Sequence, residues 1–218
     1  SYKPGNIVTR AEMAVIVVRA LGLADYAAGT ANFSDMGGHW SNPYVAYATS
    51  LGIIAGYPDG TFRPDNTVSY DEAATMLVAA LGYNADSLTG TWPANFVVKA
   101  KSLGILDGIK AGAAGANRGD IAIMTFQTLD AKIGSTDKDG KWTANDPEDN
   151  MIARLGAELY NDGDAFVVNG DEDSVINLKP FLGAYMTAYQ NDDDEIIAVK
   201  EVKSVFLTGT YDDDDNTF

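Results

Sequence analysis

One short segment recurs along this chain, and that self-similarity restricts the fold more than any single residue does. Residues 8–23 read VTRAEMAVIVVRALGL, residues 68–83 read VSYDEAATMLVAALGY, and residues 116–129 read ANRGDIAIMTFQTL. Glu12, Ala14, Val18 and Leu21 align with Glu72, Ala74, Val78 and Leu81, and Asp120, Ala122 and Leu129 fall at matching places in the third copy. A second shared block precedes the later copies: Trp40 followed by YVAYATSLGIIAGY, and Trp92 followed by FVVKAKSLGILDGI. Repetition at a period of about fifty residues means an array of supersecondary units, each burying its apolar face against a neighbour.

Each unit reads as two helices joined by a turn-rich loop. In the second copy, Ser41 or Asn42 is placed to cap a helix, with Pro43 tolerated in its first turn. Tyr44, Tyr47, Ala48 and Leu51 recur at helical spacing, and Gly52 is placed to end the helix. The stretch GYPDGTF at 56–62 is dense in turn formers. Thr9 with Glu12 and Ser69 with Glu72 have capping-box spacing, and Asn117 with Asp120 is a weaker version. The second helices are apolar around much of their circumference, as in Met13–Val18, which places three of them at the centre of a bundle. The helices bearing Tyr44 and Phe96 then lie outside.

The net charge of −16 is uneven. Residues 1–134 hold nine Lys/Arg against eleven Asp/Glu, and residues 135–218 hold six against twenty. This shift marks a boundary near Gly134. An acidic chain excludes nucleic acid as a partner, since phosphate binding needs a basic surface. No apolar run is long enough to span a bilayer. Residues 135–150 have no periodicity and read as a linker. Beyond it, 165–169, 174–178, 184–190, 195–202 and 204–211 read as short strands separated by Asn/Asp-rich turns, suggesting a small barrel or sandwich. The sequence stops at Phe218 just after an Asp run, which reads as a truncation.

Several motifs in order resemble one known family. Thr9-Arg10-Ala11-Glu12, Phe33-Ser34-Asp35 with His39-Trp40, and Gly56-Tyr57-Pro58-Asp59-Gly60-Thr61-Phe62-Arg63-Pro64 are similar to the surface-layer homology (SLH) repeat. The resemblance covers residues 1–134, divided as a partial repeat (1–30), a second (31–84) and a third (85–134). It implies an α+β chain: a pseudo-threefold bundle of helical SLH repeats, the first incomplete, then a small acidic β domain over 151–218. It further implies a non-catalytic, extracellular S-layer or cell-wall protein. Such a protein binds a secondary cell-wall polysaccharide, often pyruvylated, and self-associates in a surface lattice or filament. The alternatives are an SLH-anchored enzyme whose catalytic part lies outside this sequence, and an assembly subunit whose repeats no longer bind glycan.

The implied glycan-binding residues are Arg10, Asp35, Trp40, Trp92 and Arg118. Arginine suits a ketal carboxylate through its planar fork, and tryptophan suits a sugar face. By the family's analogy, Arg10 meets Asp35 and Trp40, the only complete set. Tyr70 stands at the arginine position of the second repeat, so its groove with Trp92 lacks a cation. The first repeat starts inside its loop, so the segment expected to partner Arg118 is missing.

Two other chemistries are weaker. Asp137, Asp139 and Asp146 approximate calcium-loop spacing, but Ser135 stands where the first Asp belongs, so a solvated charge run is the simpler reading; Ca2+ is the one cofactor the sequence suggests. A catalytic reading finds no phosphate loop, nucleophile elbow or cysteine, and His39 is the only histidine, better suited to a turn than to base catalysis.

Overall fold

The computed structural model describes residues 3–203. They divide into two units, the first running through Leu155 and the second beginning at Gly156. Helix and antiparallel sheet together make the chain α+β, as the sequence implied.

The first unit holds α1 (Arg10–Ala20), α2 (Asn42–Ser50), α3 (Tyr70–Ala80), α4 (Ala94–Ser102) and α5 (Arg118–Thr128). Their starts follow the expected chemistry. Thr9 and Ser69 accept from the backbone of Glu12 and Glu72, and both glutamates reach back to complete the box. Asn117 caps α5 through Asp120 N. The start of α2 differs from expectation. Ser41 makes no cap, and Asn42 lies inside the helix, its side chain accepting from Ala31 N and donating to Met36 O. That amide is spent on tying the approaching loop, a longer-range task than capping. Gly52 follows the helix at φ 71°, a conformation costly for other residues.

Helix α3 packs against both α1 and α5, while α2 lies on α1 and α4 lies on α3. One core joins them, with Met13, Val17, Leu77, Leu81, Ile121 and Met124 fully buried. Each such side chain contributes about 1.5–3 kcal/mol. Short extended segments clasp the helix starts in the same way in two copies. Arg10 N donates to Asn66 O and Ala11 N to Pro64 O; Arg118 N donates to Asn6 O and Gly119 N to Pro4 O.

The stretch expected as a linker is structured. Strands β1 (Gly134–Thr136) and β2 (Trp142–Ala144) form an antiparallel hairpin. It covers the C-terminal end of α3, where carbonyls lack intrahelical partners. Trp142 Nε1 and Gly134 N both donate to Leu81 O, and Thr136 Oγ1 donates to Gly82 O. The Trp142 ring stacks on Tyr83 at 4.6 Å. Three-residue strands have no period to read, so this docking was invisible in the sequence. A one-turn helix, α6 (Met151–Arg154), also belongs to the first unit and buries Met151 and Ile152.

The second unit is built on β5 (Tyr185–Asn191), with β6 (Ile196–Lys203) along one edge. The other edge is shared end to end by β3 (Ala157–Leu159) and β4 (Phe166–Val167), because Tyr185 pairs with both Lys203 and Val167 while Gln190 pairs with both Ile196 and Glu158. Val168, Leu178, Met186, Ala188 and Ile196 form its small core. The described residues thus form one antiparallel sheet rather than a barrel or a sandwich. The strand expected at 174–178 is only a bridge from Ser174 to Ile196, since Ser174 Oγ bonds Ile196 O and turns the chain. The strand expected at 204–211 lies outside the described residues.

Candidate functional site

Two grooves open on the helical unit, and each contains an arginine and a tryptophan from the candidate set. The first, of about 490 Å3, is lined by Arg10, Tyr57, Glu72, Thr75, Tyr83 and Trp92, among others. Arg10 begins α1 but reaches across to the second repeat. Its Nη1 donates to Glu72 Oε1 at 2.6 Å, its Nε to Phe62 O at 2.8 Å, and its Nη2 to Ala55 O at 3.3 Å. The guanidinium carbon sits 4.7 Å from the centroids of both the Tyr57 and Phe62 rings. With side-chain exposures of 5% and 13%, Arg10 and Glu72 form a largely buried charge pair that is well supplied with hydrogen bonds. Deleting one partner of such a pair strands the other.

Glu72 is the junction of the groove. Its Oε1 also accepts from Tyr57 Oη at 2.6 Å, and its Oε2 accepts from Ser69 N at 2.9 Å. Burial pushes its carboxyl up, but the Ser69 N–H, the Tyr57 hydroxyl and the Arg10 charge outweigh that and hold it below the usual value. Burial, then the bond to Glu72, pushes the Tyr57 phenol up. Trp92 is 57% exposed, and its Nε1 donates to Thr75 Oγ1 at 3.0 Å, which anchors the indole to α3.

The second groove, of about 480 Å3, lies between α1 and α5 and is lined by Trp40, Arg118, Glu12, Val15, Ile121 and Phe126, among others. Trp40 is 60% exposed. Between the second and third repeats, Tyr70 replaces the arginine and donates its hydroxyl to Asp120 Oδ2, which also accepts from Asn117. Burial, then the Asp120 bond, raises the Tyr70 pKa.

The structure therefore pairs the candidates differently from the family analogy. Arg10 shares a groove with Trp92, and Trp40 shares one with Arg118. The reason is packing: each tryptophan leads a helix that lies on the preceding repeat, whereas Arg10 reaches forward from its helix start into the second repeat. Asp35 belongs to neither groove lining. Its two oxygens accept from Phe62 N and Arg63 N at 2.8 and 2.7 Å, so it clamps the loop that Arg10 grips elsewhere. Some desolvation raises its pKa, but those two N–H bonds prevail and lower it. Tyr57, Thr75 and Tyr83 were not singled out from the sequence as binding residues. The glycine-rich loop was the available signal for Tyr57, and nothing local marks the other two.

Asp137 and Asp146 have local partners. Asp137 Oδ1 accepts from Asp139 N and Lys141 N in the β1–β2 turn, and Asp146 Oδ1 accepts from Glu148 N. Among the described residues, no three His, Cys, Asp or Glu side chains gather to hold a metal ion. His39 lies between Ser41 Oγ at 2.8 Å and Asp65 Oδ1 at 3.3 Å, an order that resembles a hydrolase triad. Ser41 has no exposed surface, so its hydroxyl cannot reach a substrate, and the group serves to fasten the turn before α2.

A family profile described as the S-layer homology domain matches residues 32–74. The chain is 40% identical over 133 residues to the middle cell wall protein of Brevibacillus brevis, covering 59% of this chain and 12% of that protein. It is 38% identical over 127 residues to the surface layer protein of Brevibacillus choshinensis, covering 56% of this chain and 11% of that protein. A cellulosome-anchoring protein of Acetivibrio thermocellus is 40% identical over 79 residues, covering 34% of this chain and 18% of that protein. The chain thus spans less than a fifth of the length of each of these curated relatives. With the motifs of the second repeat inside the matched residues, the chain carries an S-layer homology domain at 32–74 and is similar to cell-wall and surface-layer proteins, which indicates a location outside the cell in association with the wall.

Proposed function

We propose that this chain anchors a non-catalytic surface protein by binding a secondary cell-wall polysaccharide in the groove that holds Arg10 and Trp92. One observation carries the reading: a largely buried guanidinium in contact with two aromatic rings lines a groove beside an exposed, anchored tryptophan. An indole with its edge fixed can cover the C–H face of a sugar ring. The three bonds named above use three of the five guanidinium N–H groups, and the other two are the donors this reading offers to a ketal carboxylate. The wall and anchoring names of the relatives support the same role. In this reading Trp40 and Arg118 form a second, less enclosed subsite, and Asp35 acts by shaping the loop. The helical repeats form a pseudo-threefold bundle. The acidic β unit serves in self-association of the surface layer.

The test is co-sedimentation with purified bacterial wall sacculi before and after chemical removal of the secondary polysaccharide. Retention is expected to need the polysaccharide and to fall about tenfold in Trp92→Ala, with Trp40→Ala milder, because stacking residues carry a large share of binding energy. Equal retention on stripped walls, or by Trp92→Ala, would sink the assignment.

A further inference from the structure

The groove that holds Arg10 and Trp92 runs along α3, past Glu72, Met76 and Ala79, and ends at Tyr83, Asn84 and Ala85 in the connection to α4. From Glu72 to Ala79 the helix alone covers about 10 Å, and Tyr83 lies beyond it. A ligand that fills the groove therefore extends past the ring that meets Arg10. The connection itself forms only one short turn, Ala85–Ser87, capped by Asn84. What fixes it is the β1–β2 hairpin, which follows the third repeat. Thr136 Oγ1 and Trp142 Nε1 donate to the carbonyls of Gly82 and Leu81. The hairpin turn also abuts the connection, since a Cβ on Gly140 would lie 2.5 Å from Asp86 O. The Trp142 ring covers Tyr83 with the two planes 8° apart. The opposite face of Tyr83 takes Lys99, whose Nζ is 4.3 Å from the ring centroid. Both faces of the tyrosine are thereby held, and its edge and hydroxyl remain for the groove.

We propose that Tyr83 makes a second contact with the bound saccharide, one sugar or more away from Arg10, and that Trp142 is the positioning residue that holds it there. The hairpin is then a working part of the binding groove, although it belongs to none of the repeats. This inference rests on the glycan reading of that groove. A tyrosine suits the place, because its ring edge covers apolar C–H surface while its hydroxyl bonds a sugar hydroxyl. Trp142 acts without touching the ligand: it is absent from the groove lining, and its indole N–H is spent on Leu81 O. A ring already fixed on both faces also loses less rotamer freedom when the ligand arrives.

The test repeats the sacculus co-sedimentation, at a temperature where circular dichroism shows each variant folded, with Tyr83→Phe, Tyr83→Ala, Trp142→Ala and the double variant Tyr83→Ala/Trp142→Ala. Tyr83→Phe keeps both stacked faces and is expected to weaken retention about threefold, through the hydroxyl alone. Tyr83→Ala and Trp142→Ala should each weaken it about five- to tenfold. The double variant should bind like Tyr83→Ala, because Trp142 acts only through that ring. A merely structural role for Trp142 would lower retention again in the Tyr83→Ala background, and that result would overturn the positioning role. Wild-type retention in both single alanine variants, with Trp92→Ala still losing it, would leave the glycan reading standing and overturn this inference alone. Retention that survives removal of the polysaccharide would sink both. Should Trp142→Ala fail to fold, Tyr83→Phe and Tyr83→Ala keep the hairpin's bond to Leu81 and decide the Tyr83 contact.

Discussion

At the scale of residues, Glu72 does more than its helix-start position announces. It closes a capping box, takes the Arg10 charge and receives the Tyr57 hydroxyl. Its folded pKa is lowered from the ordinary 4.5, so its contribution to stability is fully present above about pH 4.5 and is lost as pH falls through the lower folded value. Glu72→Gln should therefore be less stable than wild type at pH 7, by about 2–4 kcal/mol, because Arg10 loses its counter-charge while largely buried. The gap should narrow between pH 5 and pH 3, as read from urea midpoints across that range. A gap that stays constant would mean that the carboxylate charge is not what Glu72 supplies. Arg10, by contrast, was visible in its motif, but not its partner. Short-range spacing shows that an arginine opens a helix and says nothing of which distant loop it will reach.

Among the elements, the helices were legible and the hairpin was not. Helical period, capping boxes and glycine stops are local, and α1 to α5 fall where they indicated. The β1–β2 hairpin exists because the end of α3 offers carbonyls and an aromatic face to Trp142. Trp142→Ala should cost about 2–3 kcal/mol in urea denaturation, through loss of the stack on Tyr83 and the bond to Leu81. Gly82→Ala should also destabilise, since an added Cβ would lie 1.9 Å from Gly134 O at a φ of 85°. The caps are a milder matter: Thr9→Ala and Ser69→Ala should each cost about 1 kcal/mol, with no change in wall retention. In the second unit, the irregular run at 174–178 satisfies strand composition, yet its neighbours leave it only one bridge.

At the scale of the whole molecule, the helical unit extends past the charge boundary near Gly134. The hairpin and α6 add Met151 and Ile152 to the buried surface, each worth about 1.5–3 kcal/mol. A chain ending at residue 155 should therefore melt well above one ending at 134 in differential scanning calorimetry. Equal melting temperatures would show that the hairpin and α6 are ornaments on an already complete unit. The charge shift misled because it records surface composition, whereas a unit's extent is decided by where the apolar contacts stop.

The sequence by itself determined the repeat, the helical elements, the α+β class and the S-layer homology domain. These rest on periodicity, capping and motif order, which act over one or two turns of chain. Only the tertiary structure decided that Arg10 joins Trp92, that Trp40 joins Arg118 and that Asp35 clamps a loop. Those pairings depend on which helix lies on which, a choice made by the burial of whole apolar faces between segments about fifty residues apart.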